Sequence, residues 1–475
     1  MIKDIFSSAN RPEYHENTLI VKLRPTAKPR RAGARALVMS AVESPGLSAL
    51  STLERGGLIK RVTALSRPAE RRAAMFGARL GVTAMLAAAP AHDSKDANAG
   101  VHLIEMEKGG DTSDVQTRLA SDPNVEFVSR VPVRYLVAKS VRKAGIAKAA
   151  PPTSTMWNLA KILWKEARAK SGFKDANQIR IAVLDTGIDP KHPDLKGRVK
   201  SYTFLHPDIP DASGDQDLIG HGTHVSGTIT ALINNKVGIN GICACQLLEW
   251  KIFTDIAEFV SFEEGFQYFV DPVMYRRALA DCLDQGVDVI NLSIGGPGKP
   301  DHQEQTLFDA LLANGTTIVA AMGNEREEGS PTSFPAAIKG VIAVGATSID
   351  DTVASFSNRG NHIVLSAPGV GIWSTVPTYS GQFGFQAIHG PGGKPKEGKR
   401  MRRETNYDSW DGTSMATPHV TAAVGLLLAN RGKMSPADAR AQLTKTADKV
   451  KDMGKKQFHP DYGAGRLNLL RLLTQ

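Results

Sequence analysis

The sequence predicts a doubly wound α/β sheet, preceded by a small α+β module. Two observations carry this. Short apolar runs at Ile179–Leu184, Val287–Ile294, Thr317–Ala321, Val341–Val344 and Ile363–Leu365 have the unbroken hydrophobicity of parallel strands buried on both faces. Helical patterns such as Met274–Gln285 and Glu304–Ala313 lie between them, the arrangement that right-handed crossovers produce.

Ahead of this body the pattern changes. Thr18–Leu23 (TLIVKL) and Val101–Met106 (VHLIEM) read as strands. Asp111–Ala120, with Val115 and Leu119 one turn apart, reads as a helix, and Pro123 leads into a further strand at Val125–Val128. An Ala- and Arg-rich insert, about Pro25 to Gly100, separates the first two strands and is expected to be helical in part. The stretch Lys139–Thr155 (KSVRKAGIAKAAPPTST) has the composition of an exposed linker. The expected division is a module over 1–138, a linker over 139–155 and a body over 156–475, since 475 residues exceed the usual size of one domain.

Charge follows the same boundary. Of 58 Lys+Arg and 48 Asp+Glu, residues 1–150 hold 24 and 14, so the net +10 is entirely N-terminal and the rest balances at 34 and 34. No nucleic-acid motif accompanies the excess, so a solvated or partner-facing surface is expected rather than nucleic-acid binding. The odd count of three cysteines, Cys243, Cys245 and Cys282, reads as free thiols. Met1–Ile20 shows no apolar core behind a basic start, so cytoplasmic residence is the expectation, with export by a non-standard route as the alternative. The apolar stretch Leu80–Ala91 is too short to span a bilayer, and no membrane association is expected.

Three segments place reactive side chains at strand ends or helix starts, where an α/β sheet presents its chemistry. In IAVLDTGID, Asp185 follows a buried strand and Thr186-Gly187 turns the chain, although an Asp there can equally be a helix cap or turn residue. In GHGTHVSGT, His221 lies between glycines ahead of a helix of small residues. His224 has no carboxylate or cysteine at ligand spacing to make a zinc site with it. In DGTSMATPH, Ser414 begins a helix running through Val420 to Ala429, with Pro418 expected in the first turn. Alone, such a serine would be an N-cap.

Together, in the order Asp, His, Ser, these segments resemble the catalytic motifs of the subtilisin-like serine proteases, an order known from subtilisin itself. The resemblance runs from Trp157 to Asn468 and includes WNLAKI and YGAGRLN. It implies that Ser414 is the nucleophile, His221 its base and Asp185 the carboxylate that orients the base. It also implies that Asn324, at the end of VAAMGNE, donates to the oxyanion. A serine hydroxyl is a poor nucleophile at neutral pH, and this assembly supplies the missing basicity. NLSIGG and AAMGN would line the pocket for the residue before the cleaved bond through Ser293, Ile294, Gly295, Ala321, Met322 and Gly323. These walls are uncharged and suit an apolar side chain, with Glu325 at the rim able to accept a basic one.

Two stretches depart from the family pattern, AEFVSFEEGFQYFVDP and the basic insert Gly381–Asn406, and both are expected to reshape the substrate groove. The resemblance further implies a structural calcium ion (Ca2+) held by Asp194 and Asn235 and by the backbone oxygens of Leu232, Val237 and Ile239, an oxygen set of the mixed kind calcium takes. It also implies that the N-terminal module is a propeptide that inhibits the body intramolecularly through a tail near Arg134–Lys143. The expected partners are protein or peptide substrates and this module. A silent binding protein locked by its module is the rival reading. An esterase would be expected to show a second glycine after the nucleophile, where this chain has Gly412-Thr413-Ser414-Met415-Ala416.

Overall fold

The structure is a computed structural model that describes residues 12–24, 48–66, 96–107, 109–136, 139–140, 156–204 and 216–475. The stretch Leu80–Ala91 and most of the linker lie outside those residues.

The N-terminal module contains β1 (Tyr14–Leu23), α1 (Ser48–Arg55), β2 (Ile59–Ala64), β3 (Val101–Met106), α2 (Thr112–Ala120) and β4 (Val125–Pro132). Its antiparallel sheet has the order β2-β3-β1-β4. The insert, expected to be helical in part, supplies a helix and also an edge strand that was not expected. In β2 (IKRVTA) two basic residues interrupt the apolar run, and only pairing with β3 makes it a strand. Leu19, Val21, Ile104, Val115 and Leu119 close the module's own core. The tail then forms two short strands, β5 (Tyr135–Leu136) and β6 (Lys139–Ser140).

The body opens with α3 (Trp157–Lys161) and α4 (Trp164–Arg168). There follow β7 (Arg180–Asp185), β8 (Val199–Phe204), α5 (His221–Thr230), β9 (Gln246–Lys251), β10 (Glu258–Ser261), β11 (Gly265–Gln267), α6 (Pro272–Gln285), β12 (Val289–Leu292) and β13 (Ile294–Gly295). Next come α7 (His302–Ala313), β14 (Thr317–Ala321), β15 (Ile342–Thr347), β16 (Ile363–Pro368), β17 (Ile372–Val376), β18 (Gln382–His389), β19 (Pro395–Arg402) and β20 (Asn406–Asp411). The chain ends with α8 (Thr413–Arg431), α9 (Pro436–Thr446) and α10 (Leu469–Thr474).

Seven strands form a wholly parallel central sheet in the order β16-β15-β14-β12-β7-β9-β8, flanked by helices, which is the α/β fold expected. The core strands β12, β14 and β15 are buried at every residue, as unbroken apolar runs demand. Helix starts follow local chemistry. Asp271 caps α6 by accepting from Val273 N and Met274 N ahead of Pro272, and Asp301 caps α7 by accepting from Gln303 N and Glu304 N.

The two stretches that depart from the family pattern are one structure. They pair as a second antiparallel sheet, β10-β11-β18-β19, with Phe266 opposite Phe385. At this junction the backbones approach so closely that a Cβ on Gly265 would lie 2.1 Å from Phe385 O, and one on Gly384 would lie 2.1 Å from Phe266 O. Among the described residues, no helix is long and apolar enough to cross a membrane, and the three cysteines are free and buried.

Candidate active site

Asp185 ends β7 and His221 opens α5, so the parallel sheet and the first turn of a helix set the pair together. His221 Nδ1 lies 2.6 Å from Asp185 Oδ1, and because a carboxylate only accepts, this fixes the proton on Nδ1. Thr186 N also donates to Asp185 Oδ1, at 2.7 Å. Both side chains are fully buried. Gly222, next to the histidine, is required by space. A Cβ there would lie 2.1 Å from Gly187 O and 3.1 Å from Asp185 Cβ, so any side chain would push α5 off the aspartate's turn.

Ser414 is the second residue of α8. Pro418 is not in the first turn, as the sequence suggested, but in the second, where its missing N–H leaves the Ser414 carbonyl without a helical partner. Ser293 takes that place: its Oγ donates to Ser414 O at 3.0 Å, while Ser414 Oγ donates to Ser293 O at 2.9 Å. The helix-breaking residue is thus accommodated by a contact that fixes the serine against the end of β12. His221 Nε2 has no hydrogen-bond partner among the described residues.

Asn324 follows β14. Its Oδ1 accepts from both Thr413 N (3.0 Å) and Thr413 Oγ1 (2.9 Å), which turns the amide over and leaves Nδ2 buried with its hydrogen-bonding capacity unused. A rigidly held free donor beside a serine at a helix N-terminus is what an oxyanion requires.

The expected substrate walls also converge here. Ile294 and Gly295 pair antiparallel with Leu136 and Tyr135 of the module's tail, and Val270 N donates to Arg134 O at 3.1 Å from the other side. Beyond Ser414, Trp410 and Asp411 pair with Ser140 and Lys139. Ala321 and Met322 are buried, and Gly323 N accepts its place in the wall by donating to Thr413 Oγ1 at 3.2 Å. Glu325 corrects the sequence reading: it is not an open rim but is 5% exposed, with its Oε2 accepting from Asn358 Nδ2 at 2.7 Å.

A family model described as the Subtilase family (peptidase S8) matches residues 176–465. The chain belongs to the subtilase family. Subtilisin E from Bacillus subtilis (strain 168) is 31% identical over 354 residues, covering 74% of this chain and 76% of that protein. The major intracellular serine protease of the same organism is 33% identical over 287 residues, covering 57% and 76%. Among solved structures, that of fervidolysin from Fervidobacterium pennivorans, a keratinolytic enzyme related to subtilisin, aligns with a TM-score of 0.63 at 24% identity. That alignment covers 98% of this chain and 62% of the fervidolysin chain, and it speaks to fold alone. As a subtilase this chain is a serine peptidase, a hydrolase of peptide bonds.

Other residues of this subtilase site were not signalled by its motifs. Asp217 accepts from Thr186 Oγ1 (2.7 Å), Gly220 N (2.7 Å), Thr223 N (2.9 Å) and Thr223 Oγ1 (2.6 Å), tying the turn after Asp185 to the start of α5. Only its position four residues before His221, near a helix start, could have pointed to it. Glu249 on β9 is fully buried, accepts from Ser226 Oγ at 3.2 Å, and has its carboxyl pKa pushed well up by burial, then by Asp185 and Asp217. His224, by contrast, lies within GHGTHVSGT; it stacks on Trp410 at 4.9 Å, and burial pushes its pKa down to about 3.

The residues expected to hold calcium come together, but as a hydrogen-bonded cluster. Asp194 Oδ1 accepts from Asn235 Nδ2 (2.6 Å), and its Oδ2 accepts from Ile239 N (3.0 Å) and Tyr407 OH (3.0 Å). Leu232 N donates to Asp194 O, and Asn235 Oδ1 accepts from Val237 N at 3.0 Å. Three donors surround the carboxylate, and the asparagine turns nitrogen toward it, so the arrangement as placed does not fit a cation. Among the described residues, no group of three or more His, Cys, Asp or Glu could hold a metal ion.

Proposed function

We propose that this subtilase is an endopeptidase made as a self-processing zymogen, with Asp185, His221 and Ser414 as its triad and Asn324 as oxyanion donor. The tail of the N-terminal module carries this reading. It pairs with Ile294–Gly295 on one side of Ser414 and with Trp410–Asp411 on the other, so Tyr135–Leu136 and Lys139–Ser140 flank the nucleophile as the two sides of a substrate would. Leu136 pairs with Ile294, the residue after Ser293, whose carbonyl holds the Ser414 hydroxyl, and counting one residue on in the sequence puts the proposed cut at Val137–Ala138.

In the reaction, Ser414 Oγ turns from Ser293 O to His221 Nε2, which removes its proton as oxygen attacks the carbonyl carbon. Asp185, hydrogen-bonded at Nδ1, stabilises the imidazolium. The oxyanion takes Asn324 Nδ2. His221 then passes the proton to the leaving amine as the C–N bond breaks, and water releases the acyl group from Ser414 by the same steps. The module stays docked on α6 and α7, where Val273 joins the apolar cluster of Ile20, Val101 and Val131 and Gln303 donates to Asn98.

Mass spectrometry of the purified chain tests this. The unmodified protein is expected to label with a fluorophosphonate at Ser414 and to yield a fragment beginning at Ala138. Ser414→Ala is expected to do neither while remaining folded. Processing that persists in Ser414→Ala would assign the cut to another protease.

A further inference from the structure

Among the described residues of the tail, Arg134 has a charged side chain that is buried against the body. Its Nη2 donates to Glu304 Oε2 at 2.8 Å and its Nε to Glu304 Oε1 at 3.2 Å, while Nη1 donates to Gly298 O at 2.8 Å and to its neighbour's carbonyl, Val133 O, at 3.3 Å. The two side chains are 2% and 0% exposed. Tyr275 OH donates to the same Glu304 Oε1 at 3.2 Å. The pocket therefore has a carboxylate floor from Glu304, a carbonyl wall from Gly298 and a fixed orientation, all three supplied by the body.

A second buried pair nearby shows what is unusual. Arg276 and Asp301, at the same end of α7, are both supplied by the body and stay together whatever fills the groove. Arg276 also acts on Glu304 through space, but among the described residues the direct ion-pair partner of Glu304 comes from the tail. A buried carboxylate that loses its hydrogen-bonded cation is strongly disfavoured, so the groove is matched to an occupant that brings one. The match is to arginine rather than lysine, because two parallel N–H donors meet two carboxylate oxygens and a third meets Gly298 O, a fork that an ammonium cannot reproduce. Main-chain pairing on both sides, Val270 N to Arg134 O and Gly295 with Tyr135, fixes the register that delivers this residue to the pocket.

We infer that Glu304 is a specificity-determining residue, and that the enzyme selects peptide substrates with arginine at the fourth residue before the cleaved bond. This rests on the proposed cut at Val137–Ala138 and on the tail lying in the groove as a substrate does. The apolar walls around Met322 govern the residue next to the bond, so the two preferences are separate, one apolar and one cationic.

The full chain is to be assayed with peptides of sequence Xaa-Tyr-Leu-Val-Ala-Lys, with Xaa as Arg, Lys, Ala or Glu and the products identified by mass spectrometry. The Arg peptide is expected to exceed the Ala peptide in kcat/KM by about 100-fold, with Lys between them and Glu lowest. In Glu304→Gln the Arg-to-Ala ratio is expected to fall to within about 3-fold. In the intact chain, Arg134→Ala is expected to slow appearance of the Ala138 fragment while Arg134→Lys slows it less. Equal cleavage of all four peptides between Val and Ala overturns the pocket and leaves the peptidase reading standing. Cleavage of none, by protein that is folded by circular dichroism and diluted until the module has dissociated, overturns both. The peptide series needs no variant, so a Glu304→Gln protein that fails to fold does not remove the test.

Discussion

Ser293 and Ser414 exchange hydrogen bonds, each hydroxyl donating to the other's carbonyl, at 3.0 and 2.9 Å. Ser293→Ala removes the donor that replaces the N–H missing at Pro418 and leaves Ser414 O unsatisfied in a fully buried site. The expected loss is about 1 to 3 kcal/mol of stability, read from urea midpoints, together with slower fluorophosphonate labelling because the serine is less firmly placed. Unchanged midpoint and labelling would show that the helix satisfies that carbonyl by another route.

Asn324→Ala is expected to lower kcat on peptides by about 100- to 1000-fold with little change in KM, the loss known for a side-chain donor of this kind in subtilisin itself. Among the described residues the Nδ2 group has no competing partner, so its donor capacity is available to the transition state. A rise in KM at constant kcat would place Asn324 in ground-state binding instead.

Acid should destabilise the protein well before its carboxylates protonate. Burial pushes the pKa of His224 down to about 3 and those of His419 and His102 down to about 4. Unfolding restores values near 6.5, so below that pH the unfolded chain takes up protons the native state refuses. Their contribution is complete above pH 6.5 and is lost toward pH 4, at up to about 1.4 kcal/mol per pH unit for each. Glu249 runs the other way, since its raised native pKa gives stability at low pH that fades as pH rises through that value. Burial lowers the pKa of His15, His192 and His362 as well and raises that of Glu258 as it does that of Glu249, so six histidines outweigh two carboxyls and urea midpoints are expected to fall from pH 7 to pH 5. A midpoint that rises would contradict this.

Three protein donors hold the Asp194 carboxylate, so a chelator is expected to leave the melting temperature unchanged. Asp194→Asn is expected to cost about 1 to 3 kcal/mol whether or not calcium is present. A chelator-induced fall in Tm that calcium reverses would mean that Asn235 turns its oxygen inward and that these residues bind a cation after all.

The buried strands and the three reactive segments were legible because unbroken apolar runs and strand-end residues are local signals. Strands β8 and β9 were not. The run QLLEWK carries Glu249 and Lys251, both buried, and Lys251 is tolerated only because Gln216 O and Asp255 neutralise it from outside the strand. The sheet that unites β10-β11 with β18-β19 was invisible for another reason: its two halves lie far apart in sequence, and nothing in either half names the other. Asp217 and the Arg134–Glu304 pair depend on folding in the same way, since a carboxylate's role is set by the donors that the fold brings to it.

In the proposed zymogen, the tail whose paired segments flank Ser414 belongs to the same molecule as the serine. Its effective concentration at the groove is set by tethering rather than by how much protein is present, and for short connections reaches about the millimolar range. The half-life of the first cut should therefore be the same in dilute and concentrated solution. Once that bond is broken the module becomes an ordinary ligand, retained by its contacts with α6 and α7 and released by mass action. Under the proposed processing, dilution is then the switch: a concentrated store of the cut protein is expected to stay silent, and the same protein dispersed into a larger volume to become active without any further chemical step.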